Sequence, residues 1–161
     1  MITTYFQTQK LNYKLLSTDS LNLLRNYIDN EPDPYQFGIK FENHQITNRN
    51  KFLPYLNLLK PFTNILNNLD LIRIAGIRID PNQSLTSNFS FRKQVRILIP
   101  LYDYSRNEKI FSIGKDTVGL NSTLVYSSVP SYKVTNNFNT KFSYIIYVVG
   151  NDIEEIKNIL Q

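Results

Sequence analysis

From residue 71 onward the chain breaks into short alternating runs. Leu71, Arg73 and Ala75 alternate with Ile72 and Ile74, and Val95, Ile97 and Ile99 alternate with Arg96 and Leu98. A period of two is that of a strand, whose successive side chains point to opposite faces. Further β-prone runs lie at residues 110–113, 117–120, 123–126, 132–135 and 142–149. Turn formers separate them: Pro81-Asn82, Arg106-Asn107, Gly114, Gly119, Pro130 and Asn136-Asn137. Many short strands at this spacing predict a β-sandwich or jelly roll.

The first seventy residues read differently. Residues 1–13 alternate loosely and supply a candidate edge strand. Ser17 to Asp19 form a capping-type start, after which Leu21, Leu24, Tyr27 and Ile28 recur at helical spacing, predicting a helix over 18–29. Pro32 and Pro34 end it. Residues 35–41 read as a strand and 43–50 as a polar loop. Phe52, Leu56, Leu59, Phe62, Ile65, Leu66 and Leu69 keep a three-four rhythm that Pro54 and Pro61 interrupt, so two shorter helical pieces are expected. Asn151-Asp152 can cap a last helix bearing Ile153, Ile156, Ile159 and Leu160.

At 161 residues the chain suits one domain. Residues 1–70 form its helical and edge-strand support, 71–150 its jelly-roll core and 151–161 its closing helix. The absence of cysteine excludes disulfides, thiolate metal sites and thiol nucleophiles. No run approaches the ~20 apolar residues that cross a bilayer. The start lacks a signal-peptide pattern, so the expected location is cytoplasmic and no membrane partner is expected. Net charge is +5, but the basic residues are spread along the sequence, which argues against nucleic acid as a partner. The densest stretch, Arg92-Lys93-Gln94-Val95-Arg96, reads first as a solvated strand edge. The abundance of Asn, Ile, Tyr, Phe and Lys beside a single alanine, Ala75, fits an AT-rich genome such as that of a phage or a marine microbe. Partners are otherwise open, a homo-oligomer among them.

Three segments carry a resemblance: LIRIAGIRIDPNQS at residues 71–84, QVRILIPLY at 94–102 and TLVYSSVPSYKVTNN at 123–137. Their apolar pattern resembles that of the oxygenases dependent on iron(II) and 2-oxoglutarate, in particular the aspartyl/asparaginyl β-hydroxylase-like and prolyl hydroxylase-like members. The resemblance implies a fold that is mainly β with flanking helices, a double-stranded β-helix of the cupin-like kind. Gly76, Ile79 and Pro81 match the first element. Arg96, Ile99, Pro100 and Leu101 match the second, and Val134 and Asn136 the third.

The reactive residues of that pattern are replaced. Its His-x-Asp falls on Asn82-Gln83-Ser84, and its distal histidine on Tyr132. The histidine that contacts the oxoacid falls on Leu98, and the arginine that pairs with its far carboxylate falls on Phe142, with Lys141 one residue earlier. Lysine can replace the charge but not the bidentate fork, and a one-residue offset in a strand turns the side chain to the other face. The only histidine, His44, sits in a polar stretch, whereas a 2-His-1-carboxylate iron site needs two imidazoles. Asn82, Ser84 and Tyr132 offer a carbonyl, a hydroxyl and a phenol that ordinarily ionises near pH ~10, none anionic at neutral pH unaided. Tyr132 is expected to fill the space a metal would take.

These residues point to a non-catalytic, hydroxylase-like protein with a binding or structural role and no cofactor. Asn82, Ser84 and Tyr132 are then vestigial metal-site positions, and Arg96 and Lys141 candidate anion contacts. Asp33 and Asp103 read as turn residues, and Asp152, Glu154 and Glu155 as helix-start charges. Two alternatives stand beside this reading. One is an oxygenase using iron(II) and 2-oxoglutarate with atypical or partner-supplied ligands; the other is a mildly basic nucleic-acid-binding β-domain acting through Arg92, Lys93 and Arg96.

Overall fold

A computed structural model describes residues 4–32, 38–48, 51–87, 94–104, 111–113, 116–120, 122–127, 132–136 and 141–161. The alternating runs pair into two sheets, antiparallel throughout. The larger has the order β1 (Thr4–Thr8), β9 (Thr123–Ser127), β6 (Val95–Pro100), β11 (Phe142–Val149), β4 (Leu71–Ile79), β2 (Ile39–Glu42), β3 (Gln45–Ile46). The smaller has the order β5 (Ser84–Ser87), β10 (Tyr132–Asn136), β7 (Phe111–Ile113), β8 (Asp116–Val118). The chain passes from large to small sheet between β4 and β5, between β6 and β7 and between β9 and β10. It returns between β5 and β6, between β8 and β9 and between β10 and β11. This alternation makes a mainly β, double-stranded β-helix: the strand pattern predicts a jelly roll, and the resemblance implies this form of it.

The helices cover the outer face of the large sheet. Helix α1 (Thr18–Asn30) is capped by Ser17, whose Oγ accepts from the Ser20 amide at 3.1 Å. It buries Leu21, Leu24 and Ile28. Gly76 lets it approach, since a β-carbon there would stand 2.8 Å from Ile28 Cδ1. Pro54 and Pro61 split the next segment as expected, into a 3-10 stretch (Leu53–Leu59) and α2 (Lys60–Ile65). Helix α3 (Ile153–Leu160) packs its end on β1, where Thr8 Oγ1 donates to the Leu160 carbonyl at 2.6 Å. None of the described helices is long and apolar enough to cross a membrane.

Two strands depart from the sequence reading. The polar stretch read as a loop holds β3, because Asn43 and His44 both adopt positive φ (51° and 63°) and close a two-residue hairpin between Glu42 and Gln45. The segment after Pro81-Asn82 is strand β5, whose sequence Ser-Leu-Thr-Ser carries little apolar signal. Of the stretch read as a strand over 35–41, residues 35–37 lie outside the described residues, as do Arg92, Lys93 and Asp33.

Strand alternation divides the core in two. Ile74, Ile97, Ile99, Ile145, Tyr147 and Val149 face the helices with Leu24, Phe52, Leu59 and Phe62. Ala75, Ile77, Ile79, Leu98, Leu124, Tyr126, Phe142, Tyr144 and Ile146 face inward, between the sheets. Both faces of β11, and of β4 and β6 beyond their mouth-end residues, are thereby removed from water, each full burial contributing roughly 1.5–3 kcal/mol for the larger side chains.

Candidate functional site

The crossings between sheets define two ends of the barrel. At the corner end lie the last residue of β4, the last of β6, the first of β9 and the first of β11, where the chain changes sheet. At the other end, the mouth, β6 begins and β9 finishes, with Val95 opposite Ser127. Tyr132, which opens β10, follows Ser127 by five positions, and Gln94 follows Ser87, the last residue of β5, by seven.

Register sorts the inner face into layers, because directly opposed residues share a face. Nearest the corner, Ile79 opposes Phe142. Next come Ile77, Tyr144 and Pro100, then Ala75, Ile146, Leu98 and Leu124. These three layers are apolar, apart from the tyrosine hydroxyl, and buried. The Phe142 ring lies 4.8 Å from that of Tyr104 and 5.0 Å from that of Tyr144. The fourth layer, at the mouth, is different. Lys40 opposes Arg73, Arg73 opposes Val148, Val148 opposes Arg96, Arg96 opposes Tyr126 and Tyr126 opposes Tyr5.

The residues singled out from sequence fall at both ends. Asn82 is exposed in the turn of residues 80–83, at the corner. The Gln83 amide donates to the Asp80 carbonyl at 3.0 Å, Pro81 stands at the second position and Asn82 at the third with φ 62°. That is a type II turn, and asparagine tolerates its left-handed position. Ser84 opposes Thr135, whereas Tyr132 opposes Ser87. The two lie three pleat positions apart, an odd offset, and about 10 Å apart along the strand. The register therefore does not bring Asn82, Ser84 and Tyr132 to one point. Ser87 is the residue across from Tyr132, and the residues that continue the chain from it, Asn88-Phe89-Ser90, lie outside the described residues.

Lys141 is also at the corner and turns outward. Its Nζ donates to the Asp29 carbonyl at the end of α1 at 3.2 Å. Arg78, buried in β4, donates there too: Nη1 reaches the Ile28 and Asp29 carbonyls at 3.0 and 2.9 Å, and Nε pairs with Asp80 at 3.0 Å. Both cations meet the unpaired carbonyls and negative dipole end of the helix. The Asp29 carboxylate accepts from Ser143 Oγ at 2.5 Å and from the Tyr102 hydroxyl. Burial, the Asp29 hydrogen bond and the Asp29 charge push the Tyr102 pKa up to about 12, so it stays a neutral donor. Tyr104, pushed up chiefly by burial, accepts from the Ser143 amide at 2.9 Å. Beside this clasp is a cleft of about 220 Å³ between Asn12, Tyr13, Lys14, Tyr102, Asp103 and Ser122. Sequence reading missed the clasp, since nothing local marks Asp29, Arg78 and Ser143 as partners.

Arg96 is the candidate that the large sheet places at the mouth. It is half-buried, its Nη2 lies 3.5 Å from Gln94 Oε1, and it belongs to the basic layer.

The fold has counterparts among solved structures. A Pseudomonas putida prolyl-4-hydroxylase superposes with a TM-score of 0.52 at 11% identity, covering 93% of this chain and 92% of that one. An oxidoreductase of the 2OG-Fe(II) oxygenase family from Burkholderia pseudomallei gives 0.53 at 12% identity, over 92% and 84%. No family model matches the chain, and no curated protein does. The resemblance read from sequence is thus one of fold to the 2-oxoglutarate oxygenase superfamily.

The positions matched from sequence to iron and oxoacid contacts, Asn82, Ser84, Tyr132, Leu98 and Phe142, carry no imidazole, carboxylate or cation. Iron(II) of this kind takes imidazole and carboxylate donors. His44, the chain's only histidine, stands exposed on the tip of the β2–β3 hairpin. Among the described residues no three His, Asp or Glu side chains gather. Leu98 and Phe142, at the two positions matched to oxoacid contacts, are fully buried in the apolar layers.

Proposed function

We propose that this protein is a non-catalytic counterpart of the 2-oxoglutarate oxygenases, keeping the double-stranded β-helix as a scaffold for binding. One observation carries the reading: Leu98 and Phe142 have 0% exposure and sit in the buried apolar layers of the inner face, where an oxoacid would need a cation and a hydrogen-bond donor. Leucine and phenylalanine supply neither. A carboxylate buried against them without a partner would bear the full cost of its desolvation. In this reading Asn82 serves its turn, Lys141 serves the end of α1, and the mouth is the face left for a ligand. Calorimetric titration of the protein with 2-oxoglutarate, in the presence and absence of iron(II), tests it. The expected trace is flat in both. Saturable, stoichiometric binding of oxoacid and metal together overturns the reading.

A further inference from the structure

The fourth layer of the inner face brings together three cations that lie far apart in sequence. Lys40, Arg73 and Arg96 stand on β2, β4 and β6, in one cross-strand row broken only by Val148 of β11. Strands lie about 4.8 Å apart, so the row spans roughly 14 Å. Lys40 is exposed, while Arg73 and Arg96 are half-buried. The Gly38 backbone packs on the Arg73 head, since a β-carbon there would overlap its buried Nε. The row continues into Tyr126, buried, and Tyr5, 39% exposed at the sheet edge.

We propose that this row docks single-stranded nucleic acid, holding the phosphates on Lys40, Arg73 and Arg96. The inference rests on the binding reading above and names its ligand. Charge complementarity selects a polyanion: a lone carboxylate or phosphate engages one cation, whereas a chain with a charge on every repeat follows all three. The aromatic end selects nucleic acid over an acidic polypeptide, because the exposed Tyr5 ring offers a base a stacking surface of a kind worth ~1–3 kcal/mol. The net charge of +5 adds long-range attraction for the same partner. Nothing in the row reads base edges, so the docking is independent of sequence.

A fluorescein-labelled oligothymidylate of about fifteen residues, titrated with the full chain and followed by anisotropy from about 50 mM salt upward, tests this. Three phosphate contacts on a single strand give an expected slope of log affinity against log salt of about −2. Lys40→Gln with Arg96→Gln is expected to reduce the slope to about −0.7 and to weaken binding roughly tenfold at the lowest salt. Lys40→Glu alone, at an exposed position, gives the same direction where the double variant melts early. Lys14→Gln with Lys60→Gln removes the same net charge away from the row and is expected to change affinity less than about twofold. Absent binding, or equal loss in both double variants, overturns the proposal. So does labelled polyglutamate binding where the oligonucleotide does not. Oxoacid binding in the calorimeter would defeat the non-catalytic reading while leaving these curves unchanged, so the two failures are separable.

Discussion

The corner and the mouth of this barrel share four large-sheet strands, β9, β6, β11 and β4, yet they hold different chemistry. At the corner the inner layers are Ile79 with Phe142 and Ile77 with Tyr144, and the helix outside is fastened by Arg78, Lys141, Ser143 and Tyr102. At the mouth β4 and β6 present Arg73 and Arg96, and β2 adds Lys40 beside them. Two to four residues along a strand carry the surface from dry packing to concentrated positive charge. In the proposed reading stability and recognition fall at opposite ends of one sheet, and a substitution's consequence depends on how far along the strand it falls.

The largest test of that division is at Phe142. Phe142→Ala is expected to cost about 3–5 kcal/mol in urea unfolding, through lost burial and the cavity left between Tyr104 and Tyr144. Phe142→Arg, which puts a cation where the related pattern has one, is expected to cost at least as much, since a charge would then lie unpaired among apolar layers. A well-folded Phe142→Arg protein would break the contrast by showing the corner open to polar groups.

Alkaline unfolding sharpens it. Burial, with the Asp29 hydrogen bond and charge, holds Tyr102 at about 12 against an ordinary value of 10.0. A pKa raised in the folded state means the folded chain keeps its proton more tightly. The associated stability is fully present below pH 10 and is lost as pH rises through about 12. Tyr102→Phe is expected to flatten the fall in melting temperature between those values; an unchanged profile would show that the clasp does not govern the corner. The smallest effect is at Asn82. With φ at 62°, Asn82→Gly is expected to be neutral within about 0.5 kcal/mol and Asn82→Val to cost about 1–2 kcal/mol, both read from thermal unfolding. Equal losses in the two variants would assign the side chain a role beyond its turn.

How far the sequence reveals this arrangement depends on the kind of interaction. Strands β4, β6 and β11 are legible because both their faces are buried and their runs are strongly apolar. Strand β5 is not, since Ser-Leu-Thr-Ser gains its place from pairing with β10 rather than from any pattern of its own. The turn at Asn82 is legible as well: proline followed by asparagine is the signature of a type II turn, and it explains that residue without a metal. Ser84 and Tyr132 look like one site along the chain and are separated by register. The basic row shows the converse. Positions 40, 73 and 96 look scattered in sequence, and only strand order makes them neighbours.

The hairpin that closes through Asn43 and His44 has a practical consequence. The chain's sole imidazole stands in solvent on the ribbon whose first strand contributes Lys40. Its Cε1 proton therefore gives one resonance downfield of the Phe and Tyr ring protons, a spectroscopic beacon supplied by the protein itself. Movement of that ribbon on engaging a partner can be followed at one atom, without a label.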